Sequence, residues 1–319
     1  MTSGPTLGLA LSSEENPPAK LVETTVDAER AGFTFAIISD HYHPWLPCQG
    51  QSPFVWTVLG AMAARTSTIT LGTGVTCPII RTHPAVIAQA AATTAALSGD
   101  RFWLGLGTGE RLNEHIVGAK WPPVDIRQEM LEEAVDVIRQ LWTGEEVDHH
   151  GRHFDVENAR VYTLPSKPPE IMVAASGPIA ASAAGRIGDG LISTSPKPEI
   201  VEKYQSATNG SGPGPRIGQL SVCWAQSEKE ARSTARQWWP NAALHGPTSQ
   251  ELARPEDFEA LSQDVTEDQV ASAVVCGPDP QKYVQAVDEY AKAGFDHVYF
   301  HQIGPDQQGF IEFAKANLL

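Results

Sequence analysis

Eight short apolar runs of strand character, each followed by a stretch of helical period, set the frame in which this chain can fold. The runs centre on Leu7, Phe35, Ile69, Phe102, Ile171, Leu191, Val222 and Val298. Helical periods occupy residues 20–31, 54–65, 85–97, 125–142, 227–239, 279–293 and 308–316, with further helices opening at Pro178 and Pro198. Pro84 stands before one of these helices and Gly32 just after another, the placements that helix ends favour. Phe35–Ala36–Ile37–Ile38 has no polar break, which suits a strand covered on both faces of a parallel sheet. Parallel neighbours need a crossover between them, and a helix is the usual one. Eight such units closing on themselves give an α/β fold, a single (β/α)8 TIM barrel with insertions in the carboxyl-end loops. No repeat and no shift in composition marks a boundary, so residues 1–319 read as one domain.

Three stretches break the rhythm. Residues 147–154 pattern as a hairpin about Gly151. Its histidines, His149, His150 and His153, have no cysteine or paired-carboxylate scaffold beside them, so no metal is expected. Residues 209–215, rich in Gly, Pro and Ser, read as a flexible loop, and residues 241–264 as an irregular excursion near the substrate end. Residues 268–275 read as helical.

A net charge of −15 and a pI near 5.0 argue against nucleic acid or an anionic membrane as partner. Cys48, Cys77, Cys223 and Cys276 are scattered without CxxC spacing, as in reduced thiols. No apolar run reaches membrane-spanning length, and the start shows no signal-peptide pattern. The expectation is a soluble cytoplasmic protein acting on a small molecule.

In parallel α/β folds, ligands bind at the carboxyl ends of the strands. The second strand ends in Ser39–Asp40–His41–Tyr42–His43–Pro44–Trp45, which puts an acid, two imidazoles and an indole on that rim. The fourth ends in Gly105–Leu106–Gly107–Thr108–Gly109–Glu110, small residues that let a flat ligand approach the backbone, then a carboxylate. Glu110 can serve merely as a helix-start acid; sharing a rim with His41, it completes an acid/base pair. The fifth strand ends in Ala174–Ala175–Ser176–Gly177–Pro178–Ile179–Ala180, where a helix start leaves backbone N–H groups free for an anion. The sixth offers Thr194, Ser195 and Lys197, which capping and solvation explain equally well. At the third, Gly74 permits unusual backbone beneath a planar ring, and Cys77 is either a packed thiol or a ring contact.

With these motifs in order from Leu7 to Phe310, the chain resembles the luciferase-like superfamily, and within it the coenzyme F420-dependent glucose-6-phosphate dehydrogenase family. Ser39-Asp40-His41-x-x-Pro44-Trp45, Gly107-Thr108-Gly109-Glu110-x-Leu112-Asn113-Glu114 and Gly185-Arg186-x-Gly188-Asp189-Gly190 carry the resemblance. It implies a deazaflavin across the carboxyl end, held by Asp40 and Asn113, with Cys77 where the family often has a hydrogen-bonding Thr. It implies that the backbone at Ser176, Gly177, Ile179 and Ala180 receives the cofactor's phosphate. A non-proline cis peptide is implied at Gly74–Val75. Glu14, Trp45, Thr194 and Lys197 match substrate-side residues, with Trp45 and Glu14 beside the acid/base pair His41 and Glu110. Which of that pair is the base stays open, and a homodimer is the expected assembly. The sugar-phosphate enzymes place two further cations on the phosphate; here residues 248–268 offer only Arg254, and Ala286 stands where an Arg would align, with Lys282 one turn upstream. The expected reaction is hydride transfer from the carbinol carbon of a sugar phosphate, sugar or alcohol to the deazaflavin C5. The alternatives are an FMN-dependent luciferase-like monooxygenase and a non-catalytic flavin-binding relative.

Overall fold

The computed structural model describes residues 4–208, 214–244, 246 and 248–319. Positions 209–213 of the expected 209–215 loop lie outside the described residues. The strands in chain order are β1 (Thr6–Leu11), β2 (Phe35–Ile38), β3 (Thr70–Thr73), β4 (Phe102–Leu106), β5 (Val147–His150), β6 (Asp155–Ala159), β7 (Glu170–Ala174), β8 (Gly190–Ser193), β9 (Arg216–Cys223), β10 (Val275–Cys276) and β11 (His297–Gln302). Eight of them form a parallel sheet in the order β9-β11-β1-β2-β3-β4-β7-β8, and β8 pairs back to β9, closing the barrel. These are the eight strands that the apolar runs mark out.

The strand alternation sorts side chains between two layers. Phe35 and Ile37 of β2 point into the lumen and pack with Trp103, Met172, Ile217 and Tyr299. Ala36 and Ile38 face outward and join Leu9, Leu104 and Val298 against the helices. The lumen is filled by setting glycines opposite the largest rings. A Cβ on Gly8 would overlap the Phe35 ring, and one on Gly72 would overlap the Trp103 indole. Burying each large apolar side chain here contributes roughly 1.5–3 kcal/mol, and the packed lumen closes the barrel beneath its carboxyl end.

The hairpin about Gly151 forms as β5 and β6, an antiparallel pair apart from the barrel. Its histidines face separate carboxylates: His149 lies 3.2 Å from Glu133, His150 3.2 Å from Asp155, and His153 3.4 Å from Glu129. Two expectations need correction. The stretch 241–264 is not irregular: it holds a 3-10 turn (Pro240–Ala243) and short helices Thr248–Glu251 and Pro255–Leu261. Neither helix is long enough to show a period, though Pro255 marks the start of the second. The helix expected over 268–275 ends at Ala271, opened by a Thr266–Gln269 capping box. Val275 and Cys276 instead pair with Val222 and Cys223 of β9. The Gly74–Val75 peptide is cis. Among the described residues no helix is long and apolar enough to cross a membrane.

Candidate active site

A cavity of about 430 Å³ opens at the carboxyl end of the barrel. Glu14, His41, Trp45 and Glu110 all border it, as do Ser176, Ala180 and Thr194. Loops after five different strands thus converge on one space. A second cavity, about 550 Å³, lies at the amino ends of β7 and β8 among the Arg139–Asp189 and Arg186–Glu132 ion pairs. It carries none of the strand-end motifs.

His41 is held from behind. Its Nδ1 lies 3.1 Å from the His43 carbonyl oxygen and 3.4 Å from Glu14 Oε1. Both partners can only accept, so Nδ1 carries a hydrogen, and in the neutral ring Nε2 holds the lone pair. Glu14 is buried and accepts from the Ser39 hydroxyl at 2.6 Å and the Ser12 hydroxyl at 3.0 Å. Burial resists its ionisation, yet positive charge on His41 and the Ser39 hydroxyl hold its carboxyl below the usual range. Trp45 covers the imidazole at 4.9 Å between ring centres and meets Phe258 edge-on at 5.2 Å. The Gln49 amide oxygen accepts from Trp45 N at 2.9 Å while its nitrogen donates to the Trp238 carbonyl, tying this loop to the insertion after residue 238.

Glu110 sits at the start of the short helix Arg111–Glu114, and its Oε2 lies 3.4 Å from Asn113 Nδ2. The Asn113 side chain works behind the cavity: its oxygen accepts from the backbone N–H groups of Tyr42 and His43, at 2.9 and 3.2 Å. Asp40 is likewise set behind, with one oxygen on the Thr76 hydroxyl at 2.8 Å and the other on Arg81 at 2.9 Å. Arg81 also faces Glu114, whose oxygen accepts from the Arg81 N–H at 2.7 Å. Burial pushes the Glu114 carboxyl up to about 7 against the pull of Arg81. Cys77 is buried against Gly109, and burial, with Glu114 adding, pushes its thiol well up, so it stays protonated.

Gly177 precedes the ten-residue helix Pro178–Ile187, which has no side-chain cap. Ile179 is 84% exposed and a Cβ on Gly177 would meet nothing, so the helix start is open to an anion. Gly107 and Gly109 border the cavity opposite, and a Cβ at either would overlap Val75 or Cys77. A planar ring with an anionic tail fits this combination of glycine floor and uncapped helix. Lys197 is exposed at the start of helix Pro198–Ala207 and does not border the cavity.

Sequence reasoning passed over Glu15, His301, Arg81, Trp239 and Asn241. His301 ends β11 and borders the cavity; a histidine at a strand's carboxyl end was the signal already used for His41. Its Nε2 is 3.9 Å from Glu15 Oε2 and its ring 4.5 Å from that of Trp239. Burial pushes Glu15 up to about 8, with the Gly304 N–H opposing and the Glu14 charge adding. It pushes His301 down to about 4, with Glu14 opposing.

A strand-end rim of this kind on a closed parallel barrel defines the class. The chain belongs to the luciferase-like family, whose model, described as luciferase-like monooxygenase, matches residues 3–297. Its curated relatives place it in one branch of that family. The F420-dependent glucose-6-phosphate dehydrogenase of Segniliparus rotundus is 36% identical, over 98% of this chain and 96% of that protein. The enzyme of the same name from Mycolicibacterium smegmatis is 35% identical, again over 98% and 96%. Among solved structures, an F420-dependent secondary alcohol dehydrogenase in complex with an F420–acetone adduct superposes with a TM-score of 0.91. It is 27% identical and the match covers 99% of this chain and 98% of that one.

Proposed function

We propose that this chain is a coenzyme F420-dependent dehydrogenase acting on a CH–OH group. The observation that carries the reading is the His41–Glu14 pair, which leaves a basic nitrogen at the cavity with a buried carboxylate behind it. Bound there, F420 supplies a hydride acceptor at the C5 carbon of its deazaflavin. His41 Nε2 takes the hydroxyl proton of the alcohol as the C–O bond becomes C=O. Ionised Glu14 then stabilises the positive ring, holding its orientation through Nδ1. Glu110, held by Asn113, would supply the proton that the N1 edge of the deazaflavin takes up as C5 accepts hydride, and Trp45 shields His41 from water. Asp40, Arg81 and Asn113 act as positioning residues, fixing the loops that carry His41 and Glu110. Gly177, Ile179 and Ala180 offer backbone donors to the cofactor's phosphate, with Ser176 beside them.

Fluorescence quenching with F420 and with FMN tests the reading: F420 is expected to bind at least tenfold more tightly. Equal affinities would overturn it, tighter FMN binding would favour a monooxygenase, and binding of neither would favour a non-catalytic relative. Assembly as a homodimer is part of the proposal and is read by sedimentation velocity.

A further inference from the structure

The cavity wall is unusual for what it lacks. Among its described lining residues the carboxyl and imidazole groups are Glu14, His41, Glu110 and His301, with no Lys or Arg. Arg111 and Lys197, each within three residues of a lining residue, are exposed and do not border it, and four other cations are engaged elsewhere. Arg254 pairs with Asp257 at 2.7 Å and Lys282 with Glu228 at 2.8 Å. Arg81 is spent on Asp40 and Glu114. Arg127, almost fully buried, donates to the Pro122 carbonyl and to Gln250, with its guanidinium 4.1 Å over the Trp121 ring. A phosphate dianion entering this cavity would meet two carboxyl groups and no fixed positive charge. Charged ligands bind well where charge-assisted partners replace their water, and here none does.

What the wall offers instead is neutral hydrogen-bonding capacity left unused. Ser193 Oγ, His301 Nδ1 and Asn241 Oδ1 are buried without partners, and all three residues border the cavity. Ser193 is 2% and His301 4% exposed. Buried polar atoms are ordinarily paired, so three orphans around one space point to a ligand that pairs with them. Two amides are half-committed: Gln219 Oε1 accepts from the Tyr299 hydroxyl at 2.8 Å and Gln250 Oε1 from Arg127 at 3.0 Å, which leaves both NH₂ groups free to donate. His301, kept neutral by burial, has one donor and one acceptor nitrogen. A hydroxyl both donates and accepts, which matches this set; a phosphate dianion only accepts. Trp45 and Trp239 add flat apolar walls of the kind that the C–H face of a sugar ring covers.

We infer that the substrate is a neutral polyhydroxylated molecule, an unphosphorylated sugar, recognised by Ser193, Asn241 and His301 and by the indoles of Trp45 and Trp239. The inference rests on the dehydrogenase reading above and sharpens it.

The test is steady-state kinetics of the F420-loaded enzyme with glucose, glucose 6-phosphate and 2-propanol, together with calorimetric titration of each sugar. Glucose is expected to exceed glucose 6-phosphate at least tenfold in kcat/KM and to bind more tightly. Ser193→Ala and His301→Gln are each expected to lower the glucose-to-2-propanol ratio of kcat/KM about tenfold, with melting curves confirming that they fold. Should one of them fail to fold, Asn241→Ala supplies the same reading. A preference for glucose 6-phosphate, or a ratio untouched in folded variants, would overturn the inference while leaving the dehydrogenase reading intact. F420 binding without turnover of any of the three would overturn both.

Discussion

Glu15 gives the sharpest stability test, because its carboxyl is the group that burial perturbs most usefully. It sits beside ionised Glu14 and 3.9 Å from His301, with the Gly304 N–H at 3.1 Å as partner to one oxygen and no partner for the other. Its value moves from 4.5 to about 8. A carboxyl harder to ionise folded than unfolded stabilises the fold below its unfolded value, and the stabilisation is lost as pH rises through the folded one. Two other perturbed groups, His301 and Glu114, titrate mainly below the useful window. His301, lowered from 6.5 to about 4, adds stability as pH rises and has finished by about 6.5. Glu114, raised to about 7, has given up most of its contribution by pH 7. Between pH 7 and 8 the Glu15 contribution remains, and linkage puts its loss at about 1 kcal/mol. Urea unfolding at closely spaced pH values reads it directly. Wild type is expected to lose about 1 kcal/mol more across the window than Glu15→Gln, neutral and nearly the same shape, which keeps only the roughly 0.3 kcal/mol loss from Glu114. Parallel lines for the two proteins would refute the reasoning, since the carboxyl would then ionise in the fold as easily as out of it.

Two other substitutions probe the site. His41→Ala and Glu110→Gln are each expected to lose about two to four orders of magnitude in turnover, as for groups that transfer protons, while F420 affinity by fluorescence stays within a few fold. Turnover near wild type in either would show that its role is misassigned. Arg81→Met leaves the buried Asp40 and Glu114 carboxyls facing each other without a guanidinium, and is expected to lower stability by about 3–5 kcal/mol. Adding Glu114→Gln should recover part of that loss in urea midpoints. A single variant as stable as wild type would mean that the charge cluster does not hold these loops.

The barrel was readable because its two periodicities are strong: four-residue apolar runs like Phe35–Ile38 and amphipathic helices like residues 125–142 leave few alternatives. The 240–261 insertion was not, because helices of four and seven residues, Thr248–Glu251 and Pro255–Leu261, span too few turns to repeat. Val275 and Cys276 were misread for the related reason that two residues cannot declare a strand. Within the site, His41 and Glu110 were legible from their strand ends. The structural partners of Asp40 and Asn113 were not, since no sequence pattern announces that Arg81 meets Asp40 or that the Tyr42 and His43 N–H groups donate to Asn113. Arg81 itself stands in the loop Pro78–Ile79–Ile80–Arg81, where an isolated charge among apolar residues was the only cue.

The cavity wall is assembled from two kinds of material. His41, Glu14 and Glu110 ride on strand ends pinned by the barrel, whereas Trp239, Asn241 and Gln250 arrive on the helical insertion. That insertion meets the rest through Phe258 against Trp45 of the His41 loop and Gln250 accepting from Arg127 of the helix Val124–Leu141, with Gln49 on the Trp238 carbonyl just before it. Inheritance can act on such halves at different rates. Point changes between residues 239 and 258 would alter which molecule fits without disturbing the proton-handling residues or the closed sheet beneath them. A lineage could therefore pass one reaction from compound to compound by rewriting about twenty positions of cover.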